Sequence, residues 1–511
     1  MSGLPIRTMW DVWANTVGKF PRKAAAIWQD RAYSYAEIDA LAASVATRLA
    51  RDFGLTKGDR LAVLSPNGLE CFVLYWAAQR LGVTLVPINH RLRPDLIAFI
   101  ANETGSRAIV VHKELAPLFA EVRSSLKTVE NVVAVDCAIE GARSWEDFAA
   151  PADAPVAPCD TLAPDDICVI VYTSGTTGVP KGPVITHDNL LYNIKNTIIP
   201  HSFRHEDVHM LAVPLFHCTG LNSIITTSAY LGSTVVLAPA MNVKDLVVLV
   251  QKHRITTWLG VPTLFHFLTV MKDLADYDLS SLRLIAYSGS PMPPETIRRL
   301  RAKFPGVWLH NFFGLTETIS ITNVLADCDA DTRPESVGKV LPEVGQKILD
   351  EAGREVPPGT IGELCFHRTE VIREYWKRPD LLAQAMTGEW FRTGDWALVD
   401  EDGYVYLKGR KKDMIIVGGE NVYALEVENV LVSHEKVLEA AVVGIPATGV
   451  RSYLGELVKA VVVRRDDSLT DVELKRFCSE RLASYQVPQI VEFRDQLPRT
   501  PSGKVMKAEL K

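Results

Sequence analysis

The chain has 511 residues, of which 47% are hydrophobic and 23% are charged. At roughly 150 residues per domain, this length predicts several structural units, and the composition is that of a globular protein with enough apolar surface to bury. The formal net charge is −6 at pH 7. A mildly acidic chain has no electrostatic reason to bind nucleic acid or an anionic membrane surface, so we expect neither partner.

The N-terminal segment and the cysteines favour a cytoplasmic location. The first residues lack the basic-then-apolar pattern of a signal peptide, and no run reaches the about 18 apolar residues of a membrane span. The eight cysteines form no C-x-x-C pair or other metal-like spacing, which indicates thiols in a reducing compartment. We therefore expect no membrane span. The sequence does not decide whether the protein forms a homodimer.

Short β-branched runs alternate with longer helical stretches through the first four hundred residues. Strands are predicted at residues 60–64, 84–88, 108–111, 167–171 and 234–237, and a helix at residues 69–81. This alternation predicts an α/β fold, with a large multi-layered domain whose sheets are mostly parallel. Ligands of such sheets bind where loops leave the carboxyl ends of strands.

The texture of the sequence changes at two places. Residues 151–164 hold four prolines and four alanines, which is typical of a linker or surface loop. After residue 409 a charged run leads into a compact pattern of predicted elements, with helices at 424–431 and 471–482 and strands at 438–443 and 457–463. This pattern predicts a small α+β domain of ordinary size.

The most specific motif is Tyr-Thr-Ser-Gly-Thr-Thr-Gly-Val-Pro-Lys-Gly at residues 172–182, directly after a predicted strand. Its glycines let a loop close around an anion, and its hydroxyls and backbone N–H groups can donate to phosphate oxygens. Lys181 adds a mobile positive charge, but no Gly-Lys-Ser/Thr sequence closes the motif, so it is not a Walker A loop. The alternative is a polar surface loop, which needs no lysine at its end.

Three further segments carry groups that suit a nucleotide. In the run at residues 311–317, Thr316 can bond phosphate and Glu317 can hold Mg²⁺ through a hard oxygen. Asp395 can accept bonds from both hydroxyls of a ribose, and Lys504 ends a Gly/Pro-shaped run near the C-terminus.

Taken together and in this order, these segments resemble the adenylate-forming superfamily of acyl-CoA synthetases, luciferases and non-ribosomal adenylation domains. The resemblance covers nearly the whole chain. It implies an ATP-dependent acyl-CoA synthetase, an AMP-forming acid–thiol ligase that uses ATP, Mg²⁺ and coenzyme A. It also implies a large AMP-binding domain at residues 1–409 and a small mobile lid domain at residues 410–511.

The resemblance implies roles for the residues that match the family's motifs. The phosphate-binding loop would comprise Thr173, Ser174, Gly175, Thr176, Thr177, Gly178 and Lys181. The adenine would lie along Ser288, Gly289, Ser290, Pro291 and Phe313. Thr316 would touch the α-phosphate, Glu317 would ligate Mg²⁺, and Asp395 and Arg410 would hold the ribose hydroxyls.

Other matches concern catalysis and the second half-reaction. Lys504 would be the catalytic lysine, and Lys412 the hinge about which the small domain swings. Gly418 and Gly419 would then leave room for the pantetheine arm of coenzyme A. His217 would form the gate between the acyl pocket and the thiol tunnel; the alternative is a buried histidine bonded to backbone.

The chain departs from the family's usual pattern at residues 365–369, 374–376 and 423–426. We expect these changes to affect surface turns and the start of the small domain more than adenylation.

The stretches expected to line the acyl pocket, residues 216–222, 258–265 and 286–290, contain no charged residue. An apolar monocarboxylate therefore fits best, because a second carboxylate would lack a counter-ion. We expect a fatty acid of short to medium length, with an aryl acid as the alternative, and Trp258 and Tyr287 could limit the depth of the pocket.

Three other functions compete with this interpretation. The acyl group could load a carrier protein instead of coenzyme A, the enzyme could oxidise its substrate as luciferases do, or the protein could be an inactive nucleotide binder. Retention of the charged motif residues weighs against the last, because a scaffold needs none of them.

The sequence also contains the H-E-x-x-H pattern of zinc proteases at residues 205–209. The pattern works only on a helix, and the composition around it is that of a strand. In an extended chain the two histidines would lie about 13 Å apart, so we expect no metalloprotease.

Overall fold

The computed structural model describes residues 5–173, 179–239, 242–289, 292–499 and 504–511. The chain packs as two compact units. The first comprises Met1–Pro334, Leu341–Val344 and Arg368–Gln384, and the second comprises Glu335–Val340, Gly345–His367 and Ala385–Lys511. The expected boundary between residues 409 and 410 concerns the family's two domains, and it stays a prediction. Among the described residues, no helix combines the length and apolar character needed to cross a bilayer.

The first unit is built from helices and mostly parallel sheets. Its helices are α1 Met9–Lys19, α2 Tyr35–Arg51, α3 Leu69–Leu81, α4 Pro94–Thr104, α5 Ala116–Val122, α6 Trp145–Ala149, α7 His187–His201, α8 Thr226–Leu231, α9 Val243–His253, α10 Pro262–Val270, α11 Pro294–Lys303 and α12 Pro379–Gln384. Its strands are β1 Ala24–Trp28, β2 Arg31–Ser34, β3 Arg60–Leu64, β4 Thr84–Pro87, β5 Ala108–His112, β6 Asn131–Val135, β7 Arg143–Ser144, β8 Ile167–Ile170, β9 Val184–Thr186, β10 Val208–Leu211, β11 Thr234–Leu237, β12 Thr257–Gly260, β13 Leu284–Tyr287, β14 Trp308–Phe313 and β15 Asn323–Leu325.

Two sheets of this unit carry the chain to the candidate site. One has the order β7-β6-β5-β3-β4-β8-β9, and only its last pair is antiparallel. The other runs β15-β14-β13-β12-β10-β11-β1-β2, with parallel pairing from β14 to β1. All five residues of β5 are buried, as expected for a parallel strand covered on both faces. The predicted α/β class is confirmed.

Local signals explain where the elements begin and end. In α2 the Ser34 side chain accepts from the backbone of Glu37, whose carboxylate accepts from Ser34, so both ends of a capping box are present. Helix α3 ends at Gly82, which adopts the left-handed conformation at φ 70°. Helices α1 and α3 pack through Trp13 and Trp76, whose rings stack at 4.4 Å.

The stretch at residues 151–164 contains no helix or strand, but it is tied to the helices beside it. Arg51 donates to the carbonyl of Ala154 at 2.7 Å, and Arg80 donates to the carbonyl of Val156 at 2.9 Å. Lys57 donates to the carbonyl of Thr161 at 2.7 Å. The predicted surface loop is thus held in a fixed path by cationic side chains.

The second unit contains α13 Ala424–Val432, α14 Asp471–Ser479 and the strands that follow β15. These strands are β16 Gly338–Val340, β17 Gln346–Leu349, β18 Gly362–His367, β19 Met386–Thr387, β20 Trp390–Val399, β21 Tyr404–Arg410, β22 Met414–Val417, β23 Glu420–Tyr423, β24 Val437–Pro446, β25 Glu456–Arg464 and β26 Ile490–Arg494. Strands β17, β18, β20, β21 and β16 pair in that order, antiparallel throughout, and β22 forms a hairpin with β23.

Strands β24, β25 and β26 form a three-stranded sheet with a hydrophobic core on each face. Along β25, Val458, Ala460 and Val462 pack with α13 and α14, while Val461 and Val463 pack with Leu497 and Leu510. This alternation follows from the two-residue period of a strand. It confirms the small α+β arrangement predicted for this region.

Because three of its histidines are buried, we expect the first unit to become less stable as the pH is lowered. Burial lowers the pKa of His187, His209 and His310 to about 4 each. In the unfolded chain a histidine titrates near pH 6.5, so between pH 6.5 and 4 the unfolded state binds more protons than the folded state. The free energy of unfolding should therefore fall as the pH falls through this window, by up to about 3 kcal/mol for each histidine.

Urea unfolding between pH 7.5 and 4.5 would measure this dependence in the unsubstituted protein and in a His209→Gln variant. The variant should lose part of the pH dependence, whatever its stability at pH 7.5. An undiminished dependence would contradict the assignment to His209.

Candidate active site

The phosphate-loop motif is closed at its base by two backbone hydrogen bonds. The N–H of Thr173 donates to the carbonyl of Lys181 at 2.8 Å, and the N–H of Lys181 donates to the carbonyl of Thr173 at 3.0 Å. Strand β8 leads into this loop and β9 leaves it. The rest of the predicted loop, Ser174, Gly175, Thr176, Thr177 and Gly178, lies outside the described residues, so its contact with phosphate stays a prediction.

Tyr172, the residue before the loop, is anchored by Glu103 of α4. The hydroxyl of Tyr172 donates to Glu103 Oε2 at 2.5 Å, and the indole of Trp376 donates to the carbonyl of Glu103 at 3.0 Å. Burial raises the pKa of Tyr172 well above its usual range, so the phenol keeps its proton and remains a donor. The start of the loop is therefore fixed to α4.

A segment around Tyr375 runs along the other side of the loop. Trp376 N donates to the carbonyl of Gly182 at 2.7 Å, and Val184 N donates to the carbonyl of Glu374 at 3.0 Å. Tyr375 is 4% exposed. The expectation that this segment forms surface turns is wrong for Tyr375.

Tyr375 joins two of the predicted site residues. Its ring centroid lies 5.4 Å from Lys181 Nζ, and its hydroxyl donates to Glu317 Oε1 at 2.9 Å. The N–H of Ile372 also donates to the carbonyl of Glu317 at 2.8 Å. The structure thus brings Lys181 and Glu317 to one tyrosine side chain, Lys181 over its ring and Glu317 at its hydroxyl.

Thr316 and Glu317 lie on a tight turn that begins at Gly314. A Cβ atom at residue 314 would lie 1.4 Å from the carbonyl oxygen of Ser320, so only glycine allows the turn to fold this closely. Thr318 closes the turn from within, because its hydroxyl accepts from Leu315 N at 2.9 Å. The chain therefore presents the side chains of Thr316 and Glu317 at a fixed bend after β14.

His217 lies near this turn. Its ring packs against Phe216 with centroids 4.7 Å apart, and the next residue, Cys218, places its sulfur 3.8 Å from Thr316 Oγ1. The seven residues Thr219–Ile225, which follow directly, form a π-helix. The predicted gate residue and the predicted α-phosphate residue are thus on adjacent segments, while the gate role itself stays a prediction.

The predicted adenine segment lies at the carboxyl ends of two neighbouring strands. Strands β13 and β14 are parallel, with Tyr287 opposite Asn311, so Ser288 and Phe313 lie at the same sheet edge. Ser288 N donates to the carbonyl of Gly260 at 3.2 Å. Gly289 follows Ser288, whereas Ser290 and Pro291 lie outside the described residues.

Trp258 and Tyr287, considered for the floor of the acyl pocket, belong to the core on one face of this sheet. Both are fully buried, and the rings of Trp258 and Phe265 meet edge to face at 5.6 Å. They pack with Leu268 and Ile297 from α10 and α11.

In the second unit, the predicted ribose pair is brought together by strand pairing. Asp395 on β20 lies opposite Arg410 on β21, and Arg410 Nε contacts Asp395 Oδ1 at 2.9 Å. The backbone N–H of Asp395 donates to Thr393 Oγ1 at 3.0 Å. Because Asp395 is only 6% exposed, its carboxylate is held in one orientation.

A charge cluster that the sequence analysis missed lies beside this pair. Glu363 is 3% exposed, and its Oε2 contacts Arg392 Nε at 2.9 Å and Lys411 Nζ at 3.3 Å. Its other oxygen accepts from Gly394 N at 3.1 Å. Two cations and a backbone donor satisfy the buried carboxylate, which fixes the bend before Asp395.

The remaining predicted residues of the second unit are on turns. Lys412 is exposed within the short 3₁₀ turn Lys411–Asp413. Gly418 and Gly419 form the two-residue turn of the β22–β23 hairpin, with φ 60° and 90°. Positive φ at both positions is what such turns require, and glycine adopts it without strain. Lys504 is exposed, next to Val505, which bridges to Arg499.

The H-E-x-x-H pattern has no helical geometry. His209 lies in β10, where its two ring nitrogens contact Thr257 Oγ1 at 2.7 Å and Ser233 Oγ at 3.0 Å. His205 lies before the strand and contacts the carbonyl of Leu231 at 2.7 Å. The pattern therefore lies on a strand and on the residues before it and not on a helix, as its composition predicts.

Comparisons with known proteins agree over most of the chain. A sequence model described as AMP-binding enzyme matches residues 13–376, and one described as AMP-binding enzyme C-terminal domain matches residues 426–504. The long-chain-fatty-acid–CoA ligase FadD13 of Mycobacterium tuberculosis is 33% identical over 484 residues, which cover 94% of this chain and 92% of that protein. The feruloyl-CoA synthase of an Amycolatopsis species is 35% identical over 482 residues, which cover 94% of each.

Among solved structures, the anthranilate CoA ligase AuaEII in complex with anthranoyl-AMP is similar to this chain with a TM-score of 0.91 and 27% identity. The likeness covers 99% of this chain and 97% of that one.

The close approach at Gly314 gives a testable prediction. A Gly314→Ala substitution should lower the free energy of unfolding by about 3 kcal/mol, because a Cβ so close to the carbonyl of Ser320 forces the backbone to shift. Gly18→Ala is the matched control, since a Cβ there meets nothing within 4 Å. Urea unfolding of both variants would check this, and equal stability would contradict the described turn.

Proposed function

The chain belongs to the family of AMP-binding enzymes and is an AMP-forming acid–CoA ligase, and we propose that it activates an apolar monocarboxylate. In the first half-reaction a carboxylate oxygen attacks the α-phosphorus of ATP, and pyrophosphate leaves. In the second, the thiol of coenzyme A attacks the acyl carbon of the adenylate, a thioester forms, and AMP leaves.

The placement of Lys181, Tyr375 and Glu317 carries the assignment of the nucleotide site. A cation suits the β- and γ-phosphate oxygens, while a carboxylate suits the metal ion that accompanies them. Tyr375 contacts both groups and is held by backbone bonds on either side, so their separation is fixed before ATP binds. Such preorganisation is the main contribution a protein can make to reactions at phosphorus.

Glu317 is the residue that would hold Mg²⁺. This ion is usually bound by one or two carboxylates together with phosphate oxygens and water. A single partly exposed carboxylate on a rigid turn, beside a phosphate-binding motif, fits that preference. The ion would neutralise charge on the phosphates, and the bond from Tyr375 would orient the carboxylate towards it.

The second unit would supply the remaining groups. Asp395 would accept bonds from the ribose hydroxyls, with Arg410 holding its carboxylate in place. Lys504 would place its cation between the attacking carboxylate and the α-phosphate, where negative charge shifts during the first half-reaction.

The change to the second half-reaction would use Lys412 and the Gly418–Gly419 turn. An exposed lysine in a short turn can change its backbone angles without losing buried contacts, which suits a hinge. A turn without side chains suits the passage of the pantetheine arm. The eight cysteines, none of which is in a disulfide in the described chain, support a cytoplasmic location.

A fatty acid is the first candidate for the substrate. The described parts of the three pocket stretches carry no charge, and FadD13 is named a long-chain-fatty-acid–CoA ligase. An aryl acid is the second candidate, favoured by the feruloyl-CoA synthase and the anthranilate CoA ligase. The limit that Trp258 and Tyr287 would set on the depth of the pocket stays a prediction, because both rings pack in the core on one face of the sheet.

The substrate class is tested with a panel of straight-chain and aryl carboxylic acids, incubated with ATP and Mg²⁺, with and without coenzyme A. We expect AMP release that depends on coenzyme A and is restricted to one of the two series. Dicarboxylates of matching length are the control and should be inactive, because the pocket stretches offer no counter-ion. Pyrophosphate exchange without thioester formation would point instead to a carrier protein as acceptor.

The role of Lys504 is tested by comparing the two half-reactions. Lys504→Ala should lower adenylate formation by about 100-fold or more, since an electrostatic group at the reacting phosphate is lost. Thioester formation from supplied acyl-adenylate should be nearly unchanged. Lys511→Ala, another exposed lysine of the same segment, is the control. An equal loss in both half-reactions would contradict the assigned role.

A further inference from the structure

The turn that carries Thr316 and Glu317 contains a strained residue. Ile319 adopts φ 68°, in the left-handed region, and its side chain is fully buried. A β-branched side chain is rarely found there, because Cβ crowds the backbone. Such residues persist where neighbouring contacts hold them, and they are common at active sites.

Two consecutive side chains of the π-helix hold this part of the turn. Asn222 Nδ2 donates to the carbonyl of Ile319 at 2.9 Å, and Ser223 Oγ donates to Ser320 Oγ at 2.8 Å. Asn222 is fully buried and lies 97 residues from Ile319 along the chain. Its backbone carbonyl is in turn bonded by Asn193 Nδ2 of α7 at 2.8 Å.

The π-helix explains why two neighbouring residues can reach the same turn. Its backbone is wider than that of an α-helix, and single π turns of this kind occur often at functional sites. The helix begins two residues after His217, so one short segment contacts both the candidate acyl gate and the candidate metal turn.

We propose that Asn222 is a positioning residue for adenylate formation. Its amide keeps the Ile319 peptide in the left-handed conformation and thereby keeps Thr316 and Glu317 aimed at the phosphate where the carboxylate attacks. This role rests on the function proposed above. Without the amide, Ile319 relaxes to negative φ, the peptide rotates, and the two side chains leave their position while the fold persists.

The substitution Asn222→Ala tests this role through the two half-reactions. We expect the kcat of pyrophosphate exchange to fall about 10- to 100-fold, as small displacements of reacting groups do. The KM for ATP should change little, and more Mg²⁺ should be needed for half-maximal rate. Thioester formation from supplied acyl-adenylate should fall much less, because it needs neither pyrophosphate departure nor the metal ion at Glu317. An equal fall of both half-reactions would overturn the proposal.

Asn193→Ala is the matched control. It removes a buried amide of similar exposure that bonds the same π-helix but not the turn. Thermal unfolding should show comparable losses of stability in the two variants, with pyrophosphate exchange largely kept in Asn193→Ala. A loss of exchange as large as that of Asn222→Ala would overturn the proposal.

Repeating the Asn222→Ala substitution in an Ile319→Gly protein separates the effect on the Ile319 backbone from a general loss of packing. Glycine adopts positive φ without strain, so in an Ile319→Gly protein the effect of Asn222→Ala on exchange should shrink several-fold. An undiminished effect in that background would overturn the positioning role of Asn222 while leaving the proposed function intact. If the unsubstituted protein shows no pyrophosphate exchange with any carboxylic acid, the proposed function fails, and the role of Asn222 fails with it.

Discussion

The hydrogen bond from Tyr375 to Glu317 is the contact on which the rest of the first unit's site depends. Burial, together with the neighbouring carboxylate, raises the pKa of Tyr375 well above its usual range, so the phenol remains a donor at every physiological pH. A bond to a charged acceptor contributes about 1.5–3 kcal/mol. The residues on either side of Tyr375, Glu374 and Trp376, form backbone hydrogen bonds with the chain that follows Lys181. The phosphate-loop segment, the Glu317 turn and the Tyr375 segment are therefore held together although they lie far apart in sequence.

The positions of the site residues follow from the parallel sheets. Strands β8, β13 and β14 each end at or just before a motif segment, so their carboxyl ends lead into the segments predicted to bind phosphate, adenine and the metal ion. Regular structure thus ends where the chemistry begins, which is the general arrangement in open α/β sheets. Short turns at these ends can carry unusual backbone angles because the strands behind them are buried and rigid.

Local structure could be predicted from the sequence, but long-range contacts could not. Strand β3 and helix α3 match their predicted bounds residue for residue, because periodicity reports local burial. Helix α14 ends at Ser479, whereas the sequence predicts an end at residue 482. The N–H groups of Arg481 and Leu482 both donate to the carbonyl of Cys478, so a turn after the helix keeps Leu482 at the helical spacing. Tyr375 and Asn222 were missed because their partners lie 58 and 97 residues away.

The proline- and alanine-rich stretch at residues 151–164 is held in place through its backbone and not through its side chains. Arg51, Lys57 and Arg80 bond its carbonyl oxygens, which every amino acid supplies. Side chains of the stretch contribute nothing to these three bonds. Its residues could therefore drift during evolution while the path of the chain stays the same, provided that the three cations on the neighbouring segments persist.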